Sequence, residues 1–347
     1  MKKLIATGLA LVMLLGLAGC GGKTEEPADN DAEPSGQEIA SGVGEGVEIS
    51  LATVIPDGTP IVEGLQQVSD TLSAQGFSTA VFPAGQLGSL TDVMDRCMAG
   101  ENTIMTCDPA DLADLTVSDM AIVQAPFLYD SWEDMDLLFN SEWWQDICAQ
   151  AESAGMKIIA SNWSFGDRHI LTTKQVSSLA DLAGMKIRVP DNTNFVETFT
   201  AFGAVPTPLA LSDVYSALSQ GTIDGLENPL SDIYQNKFQE VAKYCVADAH
   251  IKQDCLIICG MDFWNTLTEQ QQDAIVQAAQ EAGTYERGLL DDTEQQMREK
   301  LEEEGVIFTE IDRQEFVDAT ETYYENCAKE LGWSDGLRET VMEILGK

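Results

Sequence analysis

The chain has 347 residues and carries 19 Lys and Arg against 58 Asp and Glu, a formal charge of −39 at pH 7. So acidic a surface repels nucleic acid and anionic bilayers, and neither is expected as a partner. Over a Debye length of ~8 Å that diffuse field is largely screened, so any anion site must rest on a few local cations, preferably arginines.

The sequence opens on Lys2 and Lys3 and continues as an uncharged apolar run over residues 4–17. The run is short for a membrane span and ends in the small residues Ala18 and Gly19, which predicts a signal peptide over residues 1–20. Leu17-Ala18-Gly19-Cys20 resembles the lipobox of bacterial lipoproteins, and that resemblance implies lipid on Cys20 and an extracytoplasmic, membrane-anchored chain. Residues 21–46 are acidic and rich in Pro, Gly, Ser and Ala, with too little apolar surface to offset the entropy of ordering; they are expected to form a disordered tether. Gly42-Val43-Gly44-Glu45-Gly46 looks like a phosphate loop but follows no strand and opens no helix, so it reads as linker.

From residue 47 onward, strand and helix patterns alternate. Strands are expected over residues 47–54, 79–82 and 103–107, with helices over 60–74 and 90–98. Residues 132–154 predict one long helix ended by Gly155, and 157–163 the next strand. A second group begins near Gly166, with strands at 170–172 and 185–189 and helices at 194–202 and 212–221. Residues 244–259 form an extended stretch long enough to cross between lobes, with a polar break at Lys252-Gln253-Asp254. Thr268-Glu269-Gln270-Gln271 is a capping box. It opens a helix reaching Glu304, with Gly283 and Gly288 as candidate breaks. At 1.5 Å per residue that helix is ~50 Å long, enough to brace two lobes. Two shorter helices, 312–331 and 335–345, complete an α/β pattern with mostly parallel strands.

No GxSxG, HExxH, Walker loop or Rossmann fingerprint is present, which disfavours an enzyme, and no cofactor is expected. The only histidines, His169 and His250, lie far apart and away from any Cys pair, so no metal site is expected. Seven cysteines follow Cys20 without a CxxC motif, and they read as buried free thiols, with a disulfide or two still compatible. Cys255 and Cys259 are too far apart on a strand to bridge each other.

The informative stretch is Gly184-Met185-Lys186-Ile187-Arg188-Val189-Pro190. Strand alternation sends Met185, Ile187 and Val189 to the core and Lys186 and Arg188 the other way. Arg188 lies at the carboxyl end of its strand, where open α/β sheets bind ligands, and its planar fork suits a carboxylate. On this pattern alone a partner among the surface acids fits equally well.

From about residue 49 to 330 the chain resembles the substrate-binding proteins of TRAP (tripartite, ATP-independent, periplasmic) transporters. The matching pieces occur in register: Phe82-Pro83-Ala84-Gly85-Gln86-Leu87-Gly88, Pro126-Phe127-Leu128, Gly166-Asp167-Arg168, Gly184 to Arg188, Gly203-Ala204-Val205-Pro206, Val214-Tyr215-Ser216-Ala217-Leu218, and Gly221-Thr222-Ile223-Asp224-Gly225-Leu226-Glu227-Asn228-Pro229. One departure is Asp213, where the family often has glutamate.

The resemblance implies a two-lobe periplasmic-binding-protein (Venus flytrap) fold with a long helix bracing both lobes. Lobe I is expected over residues 47–165 and 254–293, and lobe II over 166–253 and 294–347. The resemblance also implies a monomer that clamps the carboxylate of a small organic acid with Arg188, a second arginine at Arg168, and Asn228 on the same carboxylate. The loaded protein then meets TRAP membrane subunits. Presentation of the acid to a membrane sensor, or turnover by an extracellular enzyme, are the alternatives. Around the arginines, Trp163 and Phe165 fit either stacking on a ligand or packing the hinge. Phe195 and Asn192 follow the Arg188 strand and are candidate cleft residues. Asp108 is a candidate acceptor for ligand hydroxyls or a helix cap before Pro109.

Overall fold

A computed structural model describes residues 42–347. The signal peptide, Cys20 and the tether up to residue 41 lie outside the described residues. The end of the expected tether is ordered: the Gly42 and Gly44 amides donate to the Gln75 carbonyl, each at 3.0 Å, and Gln271 Nε2 donates to Val43 O at 3.0 Å. Glycine is required at 44 because a Cβ there would run into the Phe77 ring. Gly44 thus serves close packing on the first lobe.

Among the described residues nine strands form one sheet: β1 (Glu48–Ala52), β2 (Ser78–Phe82), β3 (Thr103–Cys107), β4 (Met156–Thr172), β5 (Lys186–Val189), β6 (Val205–Pro208), β7 (Gly225–Pro229), β8 (Tyr244–Gly260) and β9 (Ile307–Thr309). Their order is β2-β1-β3-β8-β4-β7-β5-β6, with β9 on β8. The two separate strands expected at 157–163 and 170–172 are one strand, β4, antiparallel to β8. Each is 17 residues long, about 55 Å at strand rise. One end of the pair carries β3, β1 and β2; the other carries β7, β5, β6 and β9. The register slips between Ser164 and Gly166 and again between Arg168 and Ile170, where the chain passes from lobe to lobe. Because β8 runs antiparallel to β3 and β4, and β4 to β7, the sheet is mixed rather than mostly parallel.

Period-two alternation builds a core on each face of each lobe. Ile104 and Met105 enter different first-lobe cores, and Ile170 and Leu171 different second-lobe cores. The Glu269–Glu303 helix runs unbroken through both candidate break points. Ala274, Ile275, Ala278 and Ala282 pack in the first lobe, and Met297 and Leu301 in the second, so one helix spans both. The expected 132–154 helix is two helices, Trp132–Phe139 and Glu142–Ser153; the Ser141 side chain accepts from Trp144 N and starts the second. The last helices divide their packing. Phe316 joins a second-lobe core, whereas Tyr323, Cys327, Val341 and Leu345 join Met120 and Leu138 in the first, so residues 294–347 do not pack as one with the second lobe.

Candidate ligand-binding site

Arg188 is on β5, which pairs with β7 (Arg188 opposite Leu226) and β6 (Arg188 opposite Thr207). Ile187 and Val189 fill the core on one side and Arg188 faces the other, as alternation requires. The side chain is buried, only 4% exposed, and its Nε donates to Leu209 O at 2.8 Å. Among the described residues its two terminal nitrogens have no hydrogen-bond or ion-pair partner. Burial lowers the guanidinium pKa to about 10, against the pull of Glu227, so it stays charged at neutral pH. A buried, charged fork with an unused end can accept an anion.

Arg168, on β4 at the lobe crossing, is in the opposite situation. Its Nε and Nη2 grip both carboxylate oxygens of Glu227, Nη2 at 2.6 Å; Nη2 also donates to Asn228 Oδ1 at 2.6 Å, and Nη1 to Gln253 Oε1. The Phe195 ring lies beneath the guanidinium at 4.7 Å. Burial disfavours the Arg168 charge, but Glu227 outweighs it and raises the pKa. Burial likewise pushes Glu227 up, and Arg168 with His250 brings it below the usual range. His250 is fully buried between Glu227 (Nε2 to Oε2, 3.4 Å) and Asp248 (Nδ1 to Oδ2, 3.0 Å). Arg168 offsets Glu227, and His250 offsets Asp248. Of the two site arginines, Arg188 is the one with no ion pair among the described residues.

The wall opposite comes from β3 and the Pro109–Leu115 helix, whose start is the one offered by reading Asp108 as a cap before Pro109. Asp108 is N-terminal to that helix, but its side chain does not cap it; Oδ1 accepts from Gln253 Nε2 at 2.6 Å. Asp111, on the helix, accepts from Asn192 Nδ2 at 2.8 Å, a contact between the lobes. Burial raises both carboxyls, and Asp108 raises Asp111 further. Asn192 also caps the Thr193–Ala201 helix through Phe195 N at 3.2 Å. Asn228 places Nδ2 3.4 Å from Asp232, whose carboxyl burial raises to about 7.

The structure therefore brings together Arg188, Arg168, Asn228, Asn192 and Asp108, with Phe195 as a shelf under Arg168. Trp163 does not belong with them. Its indole is wholly buried in the first-lobe core, Nε1 donates to Ala279 O at 2.8 Å, and Gly64 and Gly283 press on its ring. It packs the hinge, and Phe165 packs partly against the same core. Glu227, Gln253, His250, Asp111 and Asp232 were missed. Glu227 stands next to Asn228 in the quoted Asp-Gly-Leu-Glu-Asn run, and Gln253 is the polar break in an apolar strand; those were the available signals. Among the described residues no group of three or more His, Cys, Asp or Glu is placed to hold a metal, and the seven described cysteines are unpaired.

Residues 51–331 match the model of bacterial extracellular solute-binding proteins, family 7. A solute-binding protein of Roseobacter denitrificans is 35% identical over 70% of this chain and 74% of its own. The 2,3-diketo-L-gulonate-binding periplasmic protein of Escherichia coli is 30% identical over 69% and 73%. A TRAP periplasmic solute-binding protein from Ochrobactrum anthropi, solved with bound L-fuconate, superposes with a TM-score of 0.83 at 34% identity, covering 86% of this chain and 99% of that one. One from Actinobacillus succinogenes, with bound L-galactonate, gives 0.82 at 36% identity over 86% and 99%. With its two lobes, crossing strands and bracing helix, this chain belongs to the TRAP-transporter substrate-binding proteins, family 7 of the bacterial extracellular solute-binding proteins.

Proposed function

We propose that the protein captures a small organic acid outside the cytoplasm, binds its carboxylate on Arg188, and delivers it to TRAP membrane subunits while tethered by lipid on Cys20. The observation that carries this reading is the buried Arg188 guanidinium, whose terminal nitrogens are unused and which is the one site arginine without a carboxylate. Asn228 supplies a second polar contact, and Arg168 acts through it, its Nη2 donating to the amide oxygen and fixing the side chain. The sugar acids bound in the two related structures favour a hydroxylated acid. Lobe I comprises the β1–β3 end of the sheet and lobe II the β5–β7 end. Closing them around the ligand lowers the local dielectric and strengthens the charge pair.

The test is calorimetry of purified protein against sugar acids, with Arg188→Ala alongside. Removing one partner of a buried charge pair costs about 2–5 kcal/mol, so the variant should bind at least ~30-fold more weakly while unfolding as cooperatively as the parent. Undiminished binding by the variant would overturn the assignment. For the anchor, Cys20→Ser should move the protein from the membrane fraction to the soluble one.

A further inference from the structure

We propose that the first-lobe half of β4 is a free sheet edge at the floor of a groove, and that this edge receives an extended segment of another polypeptide in which basic and apolar residues alternate. The groove shares no residue with the Arg188 site.

Among the described residues, β4 has neighbours on both sides only in the second lobe. From Arg168 to Thr172 it pairs with β7 and β8; from Met156 to Asp167 it pairs with β8 alone. Within the first lobe it is therefore the last strand of the sheet. Such an edge presents unpaired amides and carbonyls, and another chain can extend it. The register also slips between Ile158 and Ala160 and between Ala160 and Trp163, so Ile159, Ser161 and Asn162 have no partner residue on β8. A groove of about 550 Å³ lies here. The five consecutive residues from Ile158 to Asn162 line it, about 17 Å of strand. Both covering layers line it too: Phe139 and Trp144 from the Trp132–Phe139 and Glu142–Ser153 helices, and Gln280, Glu281 and Thr284 from the long helix. Side chains alternate between the faces of a strand, and Ile158 and Ile159 enter different cores. A cavity that touches every residue of the run, and helices on both faces, follows the backbone edge itself. Each wall is tied to the strand: Trp144 Nε1 donates to Ser161 Oγ at 3.3 Å, and Asn162 Nδ2 to the Gln280 carbonyl at 2.8 Å.

The walls dictate the occupant. A strand laid ~4.8 Å from β4 sends alternate side chains towards the aromatic wall and towards the long helix. The first wall takes apolar groups, and the second offers polar groups and an acid. The charged lining is Asp136 and Glu281, with no lysine or arginine. Arg287 pairs with Asp136 at 2.6 Å, whereas Glu281 has no ion pair among the described residues. On a chain of net charge −39 a basic strand is drawn in, while a second copy brings the same acidic surface and is repelled.

The experiment titrates the purified protein by calorimetry with capped hexapeptides, one alternating valine and lysine and one alternating valine and glutamate. Two further forms of the lysine peptide are N-methylated, one on its valine amides and one on its lysine amides. Hydrogen exchange on the complex locates the contact. The lysine peptide should bind at least ~10-fold more tightly than the glutamate peptide and slow amide exchange in residues 158–162. One N-methylated form should lose binding and the other keep it, because an added strand spends the amides of alternate residues on the edge. Glu281→Lys, at an exposed position, should weaken the lysine peptide by roughly tenfold. Cys148→Trp should fill the groove and abolish binding, and Glu281→Lys carries the test if the larger side chain disturbs folding. No binding of the lysine peptide, no preference over glutamate, the same result for both N-methylated forms, or protection elsewhere would overturn the proposal. Dimerisation of the protein through residues 158–162 would overturn it in favour of a second copy.

Discussion

Arg168 and Arg188 carry the same side chain, are both 4% exposed, and lie in one site, yet they do opposite work. Arg168 satisfies Glu227, a carboxylate with no exposure at all. Arg168→Ala should therefore lower the stability of the unliganded protein by about 3–5 kcal/mol, the cost of stranding a buried charge, read as a fall in the urea midpoint. Arg188→Ala removes a buried charge with no ionic partner and should leave that midpoint unchanged or higher. If the two variants behave alike, the division of labour is wrong. Both arginines were legible in the sequence, one by strand alternation and both by resemblance. Their difference was not, because the groups that saturate Arg168 arrive from β7 and β8, 59 and 85 residues away.

The long helix shows how an element obeys local rules and then breaks one for packing. Its start was legible in the Thr268 capping box, which forms as expected. Gly283 and Gly288 looked like breaks, and neither is one. At Gly283 a Cβ would sit 2.6 Å from the Trp163 ring and 2.7 Å from Asn162 Oδ1, so glycine lets helix and crossing strand touch. At Gly288 nothing lies within 4 Å. Gly288→Ala should stabilise the protein by about 0.5–1 kcal/mol through helix propensity, while Gly283→Ala should destabilise it despite the same propensity gain. Paired unfolding curves decide this, and stabilisation by both would refute the packing argument. Residues 132–154 show the converse, because apolar periodicity continues there across a break between two helices. Ser141 is a cap by virtue of its hydrogen bond to Trp144 N, and periodicity does not report that.

Across the whole molecule, two 17-residue strands hold the lobes together, and the buried charges lie where those strands cross. His250, on β8, has Phe199 and Phe202 edge-on to its ring at 5.4 and 6.3 Å, with Asp248 and Glu227 on its nitrogens. Burial opposes its charge, but the two carboxylates prevail and raise its pKa from 6.5 to about 9. The folded state thus holds this proton more tightly than the unfolded chain. The stabilisation is complete below pH 6.5 and is lost as pH rises through about 9. Glu286 of the long helix adds a loss in the same direction, because burial raises its carboxyl from 4.5 to about 8. Unfolding free energy should therefore decline from pH 6.5 to 9, and His250→Gln should flatten the upper part of that decline while Glu286→Gln flattens the lower. A flat profile in the parent would count against both assignments.

The sequence by itself determined the α/β class, the start of the bracing helix, the strand bearing Arg188, and the extended stretch that crosses between lobes. Each rests on periodicity, capping or punctuation within some twenty neighbouring residues, which local chemistry decides. Tertiary structure decided the rest: that β4 is one strand, that Trp163 is a hinge residue rather than a ligand contact, that the last helices return to the first lobe, and that Arg188 rather than Arg168 keeps an open guanidinium. Those outcomes depend on which distant groups meet, and charge pairing and burial are properties of the meeting, not of either segment alone.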